Sequence, residues 1–213
     1  MKFNEKMLLL YAVTDREWVG KQTFLEQIED ALKGGVTMIQ LREKELDDDS
    51  FEREAIQVRD LCHKYQVPLI INDNVEVALQ SGADGVHVGM EDTPVAEIRK
   101  RVSSDFIIGA TCKTVEQAKR AEAAGADYMG VGAVFPSPTK TNAVRINNEQ
   151  LCDIISSVSI PAVAIGGISY DNVCEMKGSG ISGAAVVSAI FGAEDIKKAA
   201  MLLKKRVKMV VEE

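Results

Sequence analysis

Several short apolar runs in this chain end in residues able to do chemistry. One run ends Gln40-Leu41-Arg42-Glu43-Lys44. Strand alternation sends Gln40, Arg42 and Lys44 to one side, opposite Leu41. An unpaired buried charge is costly, so two cations on one face imply an anionic ligand, or a solvated end where Arg42 pairs with an acid. The next two runs lead into Asn72-Asp73-Asn74 and Gly89-Met90-Glu91-Asp92. Two carboxylates near one another bind a cation, share a proton or repel. Mg²⁺ takes one or two carboxylates plus substrate phosphates, which suits Asp73 and Asp92 facing Arg42 and Lys44. Asp73 taken singly also suits a helix N-cap.

The later runs end differently. Thr111 offers a hydroxyl, while Thr114 is placed to cap a helix beginning at Val115. Phe135-Pro136-Ser137-Pro138-Thr139-Lys140-Thr141-Asn142 precedes a helix expected only near Asn148. A loop of that length reads as a lid or as plain surface, and its hydroxyls and Lys140 suit phosphate. Gly166-Gly167 and Val187-Ser188 close the last two runs. Paired glycines let backbone N–H groups approach a ligand closely. His63 reads as structural on an outer helix, and His87 as a satisfied core histidine inside a strand. No Ser/His/Asp or Cys/His constellation supplies a nucleophile.

Elements must hold these groups together. Strands are expected at Met7–Asp15, Thr37–Glu43, Pro68–Asn74, Gly85–Met90, Phe106–Cys112, Tyr128–Val134, Ala162–Ser169 and Gly183–Ile190. Between them lie helical spacings such as Phe24/Ile28/Leu32, Phe51/Ala55/Val58/Cys62 and Ile196/Ala200/Leu203/Val207/Val210. Continuous apolar strands alternating with such helices imply a parallel sheet covered on both faces. Eight strands and eight helices at about 27 residues per unit favour a closed barrel over a doubly wound sheet. Gly recurs where a helix gives way to a strand, at Gly34-Gly35, Gly82, Gly125 and Gly180, where the left-handed conformation costs it no Cβ clash. No linker composition or charge block divides the chain. The expectation is one α/β domain, a (β/α)8 TIM barrel over 1–213, with its chemistry at the C-terminal strand ends and a phosphate after strands seven and eight.

Composition narrows the function. The 213 residues carry 25 Lys and Arg against 32 Asp and Glu, a formal charge of -7. That argues against a nucleic-acid surface, which would show a basic stripe. Anionic small-molecule substrates would then be held by a few local cations and backbone N–H groups. Four scattered cysteines make neither a disulfide scaffold nor a zinc site, so reduced thiols in a cytoplasmic protein are expected. The run at Met7–Val13 is too short and lacks the cleavage pattern of a signal peptide. No stretch approaches a membrane span. Barrels of this size often pair, and the sequence leaves a homo-oligomer open.

The strand ends taken in order resemble thiamine phosphate synthase. LYAVTD (Leu10–Asp15), QLREK (Gln40–Lys44), IINDN (Ile70–Asn74), GADGVHVGMED (Gly82–Asp92), GVGAVFPSPTK (Gly130–Lys140), AIGGIS (Ala164–Ser169) and VVSAIF (Val186–Phe191) carry the resemblance over nearly the whole chain. It implies a transferase that joins 4-amino-2-methyl-5-(hydroxymethyl)pyrimidine diphosphate to 4-methyl-5-(2-phosphoethyl)thiazole, releasing diphosphate, with Mg²⁺ as cofactor. By the same resemblance Gln40, Arg42, Lys44, Asn72, Thr111 and Lys140 would hold the pyrimidine diphosphate, with Arg42, Lys44 and Lys140 stabilising the leaving group. Asp73 and Asp92 would hold Mg²⁺. Ser137, Pro138, Thr139, Gly167, Val187 and Ser188 would hold the thiazole phosphate.

The chain departs from the family pattern at four places. Thr111 stands for Ser, Lys113 for His, Met90 for Gln and Asn142 for Asp. A related thiazole tautomerase would need a catalytic His and no Mg²⁺. A sugar-phosphate isomerase would need a base beside the phosphate, and a non-catalytic phosphate-binding barrel would be expected to lose the diphosphate and metal residues. The retained Arg42, Asp73, Asp92 and Lys140 argue against the tautomerase and the non-catalytic barrel, and strand ends seven and eight offer no base for the isomerase.

Overall fold

A run such as Leu69-Ile70-Ile71 carries apolar side chains on both faces, and only a sheet covered on both sides can bury it. The computed structural model, which describes residues 2–20, 22–136 and 145–212, meets this need by closure. Strands β1 (Leu10–Val13), β2 (Met38–Leu41), β3 (Leu69–Asn72), β4 (Gly85–Val88), β5 (Ile107–Cys112), β6 (Tyr128–Gly132), β7 (Ala162–Ile165) and β8 (Gly183–Val186) pair in parallel, each with the next. β8 returns to β1, so the sheet has no edge.

Helices α1 (Phe24–Lys33), α2 (Asp48–Lys64), α3 (Val75–Gln80), α4 (Val95–Arg101), α5 (Val115–Ala123) and α6 (Asn148–Ser156) follow β1 to β6 in turn. Their apolar stripes face the strands. Phe51, Ala55, Val58 and Cys62 are the buried residues of α2, as their spacing predicts. Ile196, Ala200, Leu203, Val207 and Val210 are likewise those of α8 (Ile196–Val211). Thr114 caps α5, accepting from the Gln117 N–H at 3.2 Å, and α6 begins at the expected Asn148.

The regular alternation of eight strands and eight helices needs correcting. After β7 there is only a 3₁₀ turn, Val173–Met176, and after β8 there are two helices, α7 (Ser188–Phe191) and α8. The eighth strand therefore ends at Val186 rather than Ile190, because Ser188 opens a helical turn. The first strand starts at Leu10, a 3₁₀ turn over Glu5–Leu8 having taken Met7.

The recurring Gly turns behave as read: Gly35, Gly82, Gly125 and Gly180 have φ of 92°, 67°, 94° and 81°. At three of these junctions the turn also delivers a polar side chain that secures the preceding odd strand. Thr37 Oγ1 accepts from the Leu10 N–H at 2.8 Å, Asp84 Oδ2 from the Leu69 N–H at 2.9 Å, and Asp127 Oδ2 from the Ile108 N–H at 2.7 Å. These bonds lie at the N-terminal ends of the strands, away from the mouth. His63 on α2 supports one of them, 2.8 Å from Asp84, which is the structural role expected of it. The four cysteines are free, and among the described residues no helix is long and apolar enough to cross a membrane.

Replacing Asp127 with Ala strips the acceptor from Ile108 and from Arg99, which binds the same carboxylate at 2.6 Å. A buried donor left unsatisfied costs about 1–3 kcal/mol. We expect the unfolding free energy from urea titration to fall by that amount, lowering the midpoint, while substrate affinities at the far end of the barrel hold. An unchanged midpoint would mean that this bond contributes nothing.

Candidate active site

Inward positions follow strand parity. Tyr11 and Val13 on β1, Met38 on β2, Ile70 on β3, Ile107 on β5, Tyr128 on β6, Val163 on β7 and Ala185 on β8 form the inner core. Above this packing opens a cavity of about 210 Å³. Gln40, Arg42, Asn72 and Thr111 line one part of its wall, and Gly167, Val187 and Ser188 another. One hollow thus gathers residues from all eight strands or the loops that follow them.

Gln40 and Arg42 lie on the same side, as alternation requires. Thr14 aligns the end of β2 by accepting from the Arg42 N–H at 3.0 Å. Arg42 is not a free cation: its Nη1 donates to Asp15 Oδ2 at 3.0 Å, and both residues line the cavity. Glu43 turns away and is buried, accepting from Arg16 Nε at 2.8 Å. Burial and the neighbouring Glu54 push its carboxyl up to about 7, with Arg16 opposing.

Asp73 is not the helix cap. Asn74 takes that role for α3, its Oδ1 accepting from the Val77 N–H at 3.0 Å. Asp73 instead adopts φ 64°, a left-handed conformation costly for a residue with a Cβ, held in part by its N–H donating to the His87 carbonyl at 2.9 Å. Its carboxylate accepts from Lys44 Nζ at 2.8 Å and lies within hydrogen-bonding reach of Asp92. Asp92 is fixed from the other side, accepting from the Gly89 N–H at 2.7 Å. Burial works against ionisation of Asp73, but Lys44 and Asp92 outweigh it and hold its carboxyl below the usual range. Burial and the Asp73 charge push Asp92 up, against the Gly89 N–H. The two acids and Lys44 therefore form one cluster, with Asp73 next in the chain to Asn72 but none of the three among the residues that line the cavity.

Across the cavity, Gly166 and Gly167 have φ of 98° and 66°. The space a Cβ would need is occupied: one on Gly166 would meet Ala133 Cβ at 2.6 Å, and one on Gly167 the Pro136 carbonyl at 2.2 Å. The glycine pair is therefore required first by the close passage of the segment after β6. The loop residues Ser137, Pro138, Thr139 and Lys140, with Asn142, lie outside the described residues. Of the other departures, Lys113 lines the cavity and Met90 is exposed.

Three residues that line the cavity, Tyr11, Asp15 and His87, escaped the sequence reading as parts of a site. His87 points inward, with Nδ1 3.1 Å from the Tyr128 hydroxyl and Nε2 3.0 Å from Thr111 Oγ1. Tyr128 in turn meets Tyr11, hydroxyl to hydroxyl, at 2.8 Å. It is a satisfied core histidine, as expected, yet it also faces the cavity. The only available signal was parity within LYAVTD and GVHV, which places Tyr11, Asp15 and His87 on the inward side.

A family model described as thiamine monophosphate synthase matches residues 10–190. The thiamine-phosphate synthase of Ruminiclostridium cellulolyticum is 48% identical over 191 residues, covering 90% of this chain and 91% of that protein. That of Alkaliphilus oremlandii is 45% identical, covering 98% and 100%. Among solved structures, thiamine phosphate pyrophosphorylase from Pyrococcus furiosus superposes with a TM-score of 0.89 at 40% identity, covering 97% of this chain and 98% of that one.

Burial pushes the His87 imidazole down to about 4, opposed by the Asp73 charge, so the folded protein keeps it neutral at pH 7. An unfolded histidine titrates near ~6.5. Between those values the unfolded chain holds the proton and the folded chain does not. This part of stability is thus fully present above pH ~6.5 and is lost as pH falls towards 4. A His87→Gln variant should lose on the order of 3 kcal/mol less than the parent between pH 7 and pH 4. Chemical denaturation at a series of pH values tests this, and parallel curves for the two proteins would overturn it.

Proposed function

The chain belongs to the thiamine monophosphate synthase family, and from that premise we propose how its barrel mouth couples a pyrimidine diphosphate to a thiazole phosphate. It is a transferase of thiamine biosynthesis. The observation that carries the finer reading is the Asp73–Asp92–Lys44 cluster, whose Asp73 follows directly on Asn72 in the wall of a cavity that offers two different binding surfaces.

Asp73 and Asp92 fit a hard divalent cation. Two carboxylates in contact repel unless a cation or a proton lies between them, and both are oxygen donors. Two protein ligands leave room for substrate phosphates, which is the habit of Mg²⁺. When bound, Mg²⁺ would neutralise negative charge developing on the leaving diphosphate.

Gln40, Asn72 and Thr111 would hold the pyrimidine and its diphosphate, and Arg42 and Lys44 would meet the phosphate oxygens. Both cations have carboxylate partners in the free protein, so diphosphate binding would exchange one anionic partner for another rather than desolvate a bare charge. The bond from the pyrimidine methylene carbon to the diphosphate oxygen breaks, and diphosphate leaves with the electron pair. The pyrimidine amino group spreads the positive charge left on carbon. The thiazole nitrogen then forms the new bond with its lone pair, so no protein nucleophile is consumed. Gly167, Val187 and Ser188 would hold the thiazole phosphate opposite, aided by Ser137, Pro138 and Thr139. Lys140 would add a further cation over the diphosphate. Positioning two substrates against one another is most of the protein's task. Four free cysteines accord with a cytoplasmic setting.

Incubation with both precursors should yield thiamine phosphate with Mg²⁺ and none without it, and no product with Mg²⁺ present would sink the assignment. Asp73→Asn should abolish Mg²⁺-dependent coupling while thiazole phosphate binding, measured by calorimetry, persists. Equal loss of both would count against separate subsites. Lys140→Ala should lower kcat by about tenfold or more with the melting temperature unchanged, whereas a large melting shift would indicate a structural role.

A further inference from the structure

Beneath the cavity, five side chains from five strands or their ends form an unbroken line of hydrogen bonds. Gln40 Nε2 lies 2.7 Å from Tyr11 Oη, Tyr11 Oη 2.8 Å from Tyr128 Oη, Tyr128 Oη 3.1 Å from His87 Nδ1, and His87 Nε2 3.0 Å from Thr111 Oγ1. Gln40, Tyr11, His87 and Tyr128 are buried, and Thr111 opens to the cavity. Two glycines make room for the central pair. A Cβ on Gly109 would lie 2.2 Å from Tyr128 Cζ and 2.5 Å from His87 Nδ1, and one on Gly130 would lie 3.2 Å from His87 Cε1.

The direction of this line is constrained by counting hydrogens. Each hydroxyl has one to donate, and a neutral imidazole donates through one nitrogen while accepting through the other. With the Gln40 amide donating to Tyr11, one arrangement uses every donor within the line. Tyr11 donates to Tyr128, Tyr128 to His87 Nδ1, and His87 Nε2–H to Thr111, whose own hydrogen is then free for a ligand. Turning the Gln40 amide over reverses all four bonds at once: Thr111 then donates down the line, and the Gln40 carbonyl is consumed by Tyr11. Any mixed arrangement leaves a buried hydroxyl hydrogen or nitrogen unpaired, which is costly.

We propose that Tyr11, Tyr128 and His87 act as a one-way hydrogen-bond relay that couples what Thr111 offers a ligand to what Gln40 offers it. Phosphate oxygens only accept. An anion on Thr111 therefore requires Thr111 to donate, which sets His87 in its Nε2–H form and every bond beyond it. Gln40 is left with a free carbonyl oxygen, an acceptor suited to a heteroaromatic amino group. Binding of the diphosphate end thus prepares recognition of the amino end. Tyr11, Tyr128 and His87 are positioning residues, acting on substrate through Gln40 and Thr111. The inference rests on the reading that Thr111 and Gln40 hold the pyrimidine diphosphate.

Two measurements test it. In protein labelled with ¹⁵N-histidine, there are two imidazoles to resolve, and a His63→Gln variant assigns them. With Mg²⁺ and inorganic diphosphate added, His87 should carry its proton on Nε2, with Nδ1 bare. A proton on Nδ1, or on both nitrogens, overturns the relay. Tyr128→Phe keeps the ring and removes the central hydroxyl. It should raise KM for the pyrimidine diphosphate about tenfold and leave KM for the thiazole phosphate within about twofold. Equal change in both constants, or in neither, overturns the proposal. Tyr11→Phe cuts the line one bond nearer Gln40 and should move the same constant, so the test survives if one variant does not fold. A parent protein that does not couple the precursors would overturn the functional reading, and the imidazole measurement would still decide the relay.

Discussion

Closure of the sheet is the constraint on which the rest depends. Once β8 pairs with β1, each strand has one face turned into a lumen too narrow for more than a few side chains. Those faces must be filled below and can open only above. Tyr11 and Tyr128 meet across the lumen, Gly109 and Gly130 yield space to Tyr128 and His87, and the hollow left over is the cavity. Floor and site are therefore one piece of packing. The polar tips of buried aromatic residues need partners, and here their partners are the residues that face a ligand.

Charge follows the same geometry. The chain is acidic overall, yet two of the cations it brings to the mouth are paired, Arg42 with Asp15 and Lys44 with Asp73. Pairing lets a cation wait in a partly buried place without full desolvation cost, and leaves it poised for a second anion. The Asp73–Asp92 contact is the exception, since it brings like charges together. Such a pair is held by surrounding structure, here by the left-handed backbone at Asp73 and the Gly89 N–H on Asp92. Stability and chemistry are divided between the two ends of the barrel. Thr37, Asp84 and Asp127 fasten the strand starts, and the strand ends are left for binding.

Some of this was legible in order along the chain. Continuous apolar runs separated by helical stripes stepping by three and four specify parallel strands under helices, and the α2 and α8 faces came out residue for residue. The Gly turns were readable because only a residue without a Cβ adopts positive φ cheaply. Gln40, Arg42, Asn72, Thr111, Gly167, Val187 and Ser188 were readable as neighbours because closure brings strand ends together. Boundaries were less so. Strand eight gave way to a helical turn at Ser188, and the helix expected after β7 is a single 3₁₀ turn, since apolar runs alone do not say where pairing stops.

By itself the sequence determined the barrel, the polarity of its strands and the types of group gathered at its mouth, because periodicity and alternation are local properties. Which group touches which was decided only by the tertiary structure. Asp73 could have capped a helix, until Asn74 took that place and turned it towards Lys44 and Asp92. Arg42 could have stood free, until Asp15 closed on it. His87, ordinary as a core residue, joins Tyr11 and Tyr128 only because strands far apart in the chain are curled onto one lumen. Hydrogen bonds between residues 117 and 41 positions apart depend on that curvature, and no local pattern encodes it.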